Sequence, residues 1–149
     1  MYSFILNVHN IVRWAALLLA IIVTASSIYG WFGKRAWSPM NRRLAVFYTS
    51  AMDIQLLLGL LLYIFFSPKT QVAFQNFSAA MSSPELRFFA LEHVFYMLLA
   101  VVFAHLGSVF TRKGQDDAAK HRRAVLWFGL SLVLLLLGMP WERPLFPSF

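Results

Sequence analysis

Long apolar runs broken by short polar segments dominate this chain. Four of them, at about 4–32, 43–66, 86–110 and 120–139, are each long enough to cross roughly 30 Å of hydrocarbon at about 1.5 Å per residue. Helix signals stand at their edges. Ser38 precedes Pro39, Ser83 precedes Pro84 and Glu85, and Asp116 with Asp117 opens the last run, residue types suited to helix caps and first turns. Pro68 and Pro140 end the second and fourth runs, because proline lacks the N–H that a continuing helix needs. The pattern predicts an all-α integral membrane protein, a bundle of four transmembrane helices. Two tight turns join the helices within hairpins. One longer loop, 67–85, joins the hairpins, and its mixed polarity (QVAFQNFSAAMSS) leaves room for an interfacial helix.

Composition narrows the class. The 149 residues make one domain, and 60% of them are hydrophobic and 13% charged, against about 25% charged in ordinary globular proteins. A soluble enzyme, a disordered tail and a disulfide scaffold are thereby excluded. The absence of cysteine also excludes thiolate metal sites, c-type haem attachment and cysteine nucleophiles. A net charge of +7 raises nucleic acid as a partner until the charges are placed. Nine of the thirteen basic residues fall in the two tight turns: Lys34, Arg35, Arg42 and Arg43 in one, Arg112, Lys113, Lys120, Arg122 and Arg123 in the other. The other flanks hold Lys69, Arg87 and Arg143. The positive-inside rule then puts both basic turns in the cytoplasm, with N and C termini outside. Basic turns of this kind set topology and meet anionic lipid headgroups, so no nucleic-acid partner is expected. Trp31, Trp37 and Trp141 stand where an interfacial aromatic belt would be. The first run lacks the basic start of a signal peptide, so it is expected to be retained.

A two-hairpin pseudo-repeat is a further expectation. An offset of 84 pairs Phe4 with Phe88, His9 with His93 and Ala16 with Ala100, and a slightly smaller one brings Gly59 close to Gly138. Such hairpins would be related by a pseudo-two-fold axis along the membrane normal. Chance similarity between apolar helices is the competing explanation.

Ionisable residues within a membrane helix cost roughly 2.5–3.5 kcal/mol each on insertion scales, so each is a functional candidate. They are His9, Arg13, Asp53, Glu92, His93 and His105, with Gln55 as a neutral companion. His9 and His93 each fall about two turns from the outer end of a helix running in the same direction, hence at similar depth. His9, Arg13, Ala16, Ala20, Thr24 and Ser27 share one face; His93, Met97, Ala100, Ala104 and Gly107 share another. These small residues predict inward faces. Two imidazoles facing one axis suit bis-histidine ligation of haem iron, with an apolar slot for the porphyrin, and Arg13 would pair with a haem propionate or with Glu92. The plainer reading is a hydrogen-bonded polar network with an Arg13–Glu92 ion pair and Gln55 bridging helices. Asp53, near the bilayer centre, has His105 or a water as its expected partner. His105 lies about 18 Å along the helix from His93 and about 120° round it, which aims it poorly at a second haem. His121, in the run KHRR, is expected to be solvated or to face lipid, with an inner His105/His121 pair as the alternative.

Other chemistry finds no motif. The sequence holds no glycine-rich phosphate loop, serine elbow, HExxH or paired carboxylates on one face, and its six methionines are scattered, unlike a soft-metal relay.

The order HNIVRW, DIQLLLGLLLYIFFSP, LRFFALEHVFYMLLA and DAAKHRRAVLWFGLSLVLLLLGMPW resembles small four-helix, cytochrome b-like membrane proteins of Bacteroidetes-type bacteria over nearly the whole chain. The resemblance implies a multi-pass protein of the bacterial inner membrane that binds haem b, with His9, His93 and His121 as the pattern's histidines. It departs at Asp53, where a histidine is expected before IQLLLG. The function so implied is electron transfer to or from a quinol or a larger respiratory complex, not stand-alone enzymology. The alternative is a cofactor-free accessory subunit of a larger membrane complex; a proton or metal permease using Asp53 and His105 ranks third.

Overall fold

The structure, a computed structural model, describes residues 1–141, so Arg143, counted above in the outer flank, lies outside the described residues. Its four long spans, Tyr2–Phe32, Pro39–Phe66, Pro84–Arg112 and Asp117–Gly138, are each apolar enough to cross a membrane. The protein is therefore an all-α four-helix membrane bundle. The first span is α1 (Tyr2–Phe32). The second is α2 (Pro39–Leu61), which runs on through a π-helical turn, Leu62–Phe66. Two short helices, α3 (Pro68–Gln75) and α4 (Phe77–Met81), fill the long loop. The third span is built from α5 (Pro84–Arg87), a second π turn at Phe88–Glu92, and α6 (His93–Arg112). The fourth is α7 (Asp117–Gly138).

The spans start up to a turn earlier than the apolar runs suggest, because capping residues rather than hydrophobicity set the ends. Ser38 accepts a hydrogen bond from the Asn41 amide at 3.3 Å while the Asn41 carboxamide oxygen accepts from the Ser38 amide at 3.0 Å, and Pro39 occupies the first helical position. Asp116 accepts from the Ala119 amide at 2.6 Å. Ser83 precedes Pro84 without a side-chain cap. Arg42, Arg43, Lys120, Arg122 and Arg123 are thus helical, and both basic turns lie at one end of the bundle.

Neighbouring spans pack in the cyclic order α1, α2, α6, α7, which sets α1 diagonally across from α6. The expected small faces do turn inward: Arg13, Ala16, Ala20, Thr24 and Ser27 of α1 and Ala100, Ala104 and Gly107 of α6 are buried. Such residues let membrane helices approach closely, and Tyr48, Met52 and Phe128 fill what space is left. One polar stitch crosses the core. Ser131 of α7 donates to the Ala100 carbonyl of α6 at 2.6 Å; its single proton is thereby used, so Tyr48 of α2 donates to Ser131, also at 2.6 Å. The Phe128 ring meets Tyr48 edge-on at 5.8 Å. Leu18, Leu57 and Val133 are among the large apolar side chains left outward, as lipid demands.

The glycines of the packed faces make a stability prediction. A Cβ at Gly107 would stand 2.6 Å from the Phe128 ring, whereas one at Gly129 would meet only a Thr24 methyl at 3.9 Å. Gly107→Ala is expected to cost about 1–3 kcal/mol through overpacking, while Gly129→Ala gains up to about 1 kcal/mol of helix propensity. Unfolding of the two variants in detergent should move in opposite directions; a shift of the same sign would show that the α6–α7 seam is loosely packed.

Candidate functional site

At the end of the bundle opposite the basic turns, two cavities meet. The outer one, about 210 Å³, is lined by Asn7, Asn10, Arg13, Tyr63, Lys69 and Thr70 among others. The other, about 50 Å³, is an apolar slot between α2 and α6 walled by Met52, Leu56, Met97, Leu98 and Val101. Four residues line both: His9, Gly59, Tyr63 and His93. The two histidines expected to converge are thus brought to one place, from diagonal helices.

The two π turns shape this region. A π turn fits an extra residue into the coil and is frequent at functional sites, but it disturbs the helical hydrogen-bond ladder. Thr70 of α3 donates its hydroxyl to the Tyr63 carbonyl at 2.7 Å, and Gln71 donates its amide to the Ile64 carbonyl at 2.7 Å. The Tyr63 hydroxyl then donates to the Ala90 carbonyl at 2.7 Å, tying one π turn to the other. The loop helix α3 therefore pins the cavity wall rather than merely lying on the membrane surface.

His93 opens α6 just after its π turn. Its Nδ1 donates to the Gly138 carbonyl of α7 at 2.7 Å. A carbonyl only accepts, so this bond places the ring proton on Nδ1 and the lone pair on Nε2. Phe88 and Phe89 stand at 5.9 and 6.0 Å from the imidazole. His9 is held differently. Its Nε2 lies 3.2 Å from the Gln55 amide nitrogen, and among the described residues its buried Nδ1 has no hydrogen-bond partner, nor has the Gln55 oxygen. Rotating the Gln55 amide would exchange donor and acceptor at Nε2 and still leave Nδ1 unsatisfied. Gly59 makes room for this ring, since a Cβ there would sit 3.3 Å from His9 Cε1. Each histidine thus rests against a glycine of the span that follows it, Gly59 for His9 and Gly138 for His93, as the offset between the sequence halves suggests.

Positive charge collects at the polar end of the cavity. Arg13 lies with its guanidinium 5.7 Å from the Trp14 ring. Lys69 pairs with Glu85 and stands 4.9 Å over the Phe89 ring. Tyr63, Lys69 and Thr70 carried no motif: Tyr63 lies near the end of an apolar run, and Lys69 and Thr70 in the polar loop directly after it.

Several expectations are corrected. Glu92 takes Arg87 as its partner at 2.7 Å, not Arg13, and its side chain is 38% exposed. Asp53 meets the partner expected of it, His105, at 2.7 Å, but it is not buried: the pair lies on the outer surface of the bundle, with both side chains about half exposed, and neither residue lines the cavities. Gln55 is buried as expected. His121, expected to be solvated or lipid-facing, is 1% exposed. It fills the gap over Gly30, where a Cβ would overlap its ring, and meets the Trp37 ring at 4.9 Å. Since His105 is engaged by Asp53 at the surface, the two inner histidines form no pair.

The Thr70 hydroxyl is testable by hydrogen exchange. Thr70→Val should lower the local opening free energy around the Tyr63 π turn by about 1 kcal/mol, seen as roughly fivefold faster exchange of the neighbouring amides; unchanged exchange would mean that the turn holds itself. Compared with known proteins, the chain matches no family model, no curated protein and no solved structure.

Proposed function

We propose that this protein binds haem b between His9 and His93 and works as a membrane electron carrier. The observation that carries this reading is the position of both imidazoles where a polar, positively charged cavity joins an apolar slot. A flat ligand with an apolar body and an anionic edge suits that junction. When bound, haem b supplies a one-electron Fe(III)/Fe(II) couple at a bis-histidine site.

The chain's own residues have distinct tasks. The Gly138 carbonyl fixes the His93 tautomer and leaves Nε2 for the iron, the orienting role that carbonyls commonly play for ligating histidines. The unsatisfied nitrogen of His9 and the unpartnered Gln55 oxygen mark polar groups that the closed bundle leaves without partners. Arg13 supplies charge for the carboxylates of the ligand, and Lys69 joins it by exchanging Glu85 for one of them. The spaces are smaller than the roughly 300–1,000 Å³ of most ligand pockets, so entry requires Gln55 to release His9 and the slot's methionines, Met52 and Met97, to repack; unbranched methionine does so readily.

The resemblance of HNIVRW and LRFFALEH to cytochrome b-like proteins supports the same two ligands, and the departure at Asp53 falls outside the cavity. By the positive-inside rule the basic end faces the cytoplasm, with the haem near the outer face of a bacterial inner membrane, where a quinol or a respiratory complex would exchange electrons. The cofactor-free accessory subunit draws on a different observation, the Gln55 amide already engaging His9.

Absorption spectroscopy separates the two. Detergent-purified protein given haem should show a Soret band and sharp reduced α and β bands, lost in His9→Ala and in His93→Ala. Arg13→Gln should weaken haem binding about tenfold, since charge-assisted hydrogen bonds are worth about 1.5–3 kcal/mol. A folded preparation that stays colourless with excess haem sinks the proposal and leaves the accessory subunit.

A further inference from the structure

The Asp53–His105 pair sits where a membrane protein does not ordinarily leave one. Ionisable side chains within the bilayer almost always face the bundle interior or a water-filled cavity; here a carboxylate and an imidazole, hydrogen-bonded at 2.7 Å across the α2–α6 seam, point outward with side-chain exposures of 50% and 49%. Their depth is not interfacial. Asp53 is ten residues beyond Arg43 and His105 seven before Arg112, roughly 15 and 10 Å along the helices from the last basic residues of that end. Exposed Ile54, Leu57, Val102 and Val109 surround the pair, so lipid tails would otherwise cover it.

The pair's geometry indicates what covers it. Two copies of one chain inserted with the same topology are related by a two-fold axis along the membrane normal, which makes their interface self-complementary. Because Asp53 and His105 are in contact and come from neighbouring helices, they lie side by side across the surface at one depth. A two-fold axis passing between them sets the Asp53 of each copy opposite the His105 of the other; His105 gives its Nε2 proton to its own Asp53, so the bond between copies runs from Nδ1–H of the imidazolium form to the other copy's Asp53. Ser50, small and exposed one turn from Asp53, leaves room for close approach at the same face.

We propose that the α2–α6 face docks a second copy of this chain, through reciprocal hydrogen bonds between Asp53 and His105. The dimer rests on this surface alone and stands whether or not the histidine cavity binds haem.

Counting subunits by single-molecule photobleaching in liposomes tests it. Wild-type protein should be dimeric. Asp53→Leu/His105→Leu removes both polar groups together, so the fold is not left with a lone charge, and should weaken dimerisation at least tenfold; His105→Gln, which keeps a donor and an acceptor, should retain it. Because the chain has no cysteine, a bis-maleimide should cross-link Leu57→Cys in higher yield than Leu18→Cys on the outer face of α1. A monomeric wild type, a double Leu variant that dimerises like wild type, or equal cross-linking at the two positions overturns the proposal.

Discussion

Hydrocarbon offers a polar group no water, and the backbone is the first claimant on any partner that exists. Within a regular helix each carbonyl is met four residues on, but helix ends and π turns release carbonyls that must be met from elsewhere. This constraint organises the end of the bundle that holds the cavity. Gly138 is the last residue of α7, and its carbonyl, with no helical donor beyond it, is met by Nδ1 of His93. Tyr63 and Ile64 lie in a π turn, and Thr70 and Gln71 fold back to them from α3. The bond that finishes a helix is therefore also the bond that fixes the tautomer of a candidate ligand, and the loop that satisfies a π turn is also the cavity wall. Fold and site share the same hydrogen bonds.

The two hairpins place their histidines alike but finish them differently. His9 and His93 stand on diagonal helices, each against a glycine of its hairpin's second span. Yet α7 stops at Gly138, whereas the second span continues beyond Gly59 into a π turn. Gly59 has no terminal carbonyl to offer. His9 finds the Gln55 amide instead and keeps one ring nitrogen unmet. Two histidines placed alike thus become unequal in chemistry, one held in a single tautomer and one incompletely satisfied.

The spans, the small inward faces and the convergence of His9 with His93 were legible in the sequence, because run length measures against bilayer thickness and steps of three and four mark a helix face. So was His105 as a partner for Asp53; the partner of Glu92 and the outward placement of Asp53 were not. Helical phase tells which residues share a face, but how each helix is rotated against its neighbours comes from packing. A π turn inserts a residue into the winding, about 100° of phase, and Glu92 closes such a turn, which is how it comes to bond Arg87 while His93 next to it points at α7. His121 was misjudged from the basic run around it. Its burial depends on the missing side chain of Gly30 ninety-one residues earlier, a relation that no local pattern carries.

His121 also shows how an unsatisfied nitrogen should be weighed. Both of its ring nitrogens are buried without hydrogen-bond partners among the described residues, a stronger anomaly than the single one at His9. But His121 is packed against Gly30 and the Trp37 ring and lines neither histidine cavity. The unmet nitrogen of His9 belongs to a ring that lines two cavities, beside a second imidazole with its lone pair free and within reach of the charge of Arg13. An unsatisfied polar atom carries functional meaning where there is room for something to satisfy it, and in this bundle that condition separates the outer histidines from the inner one.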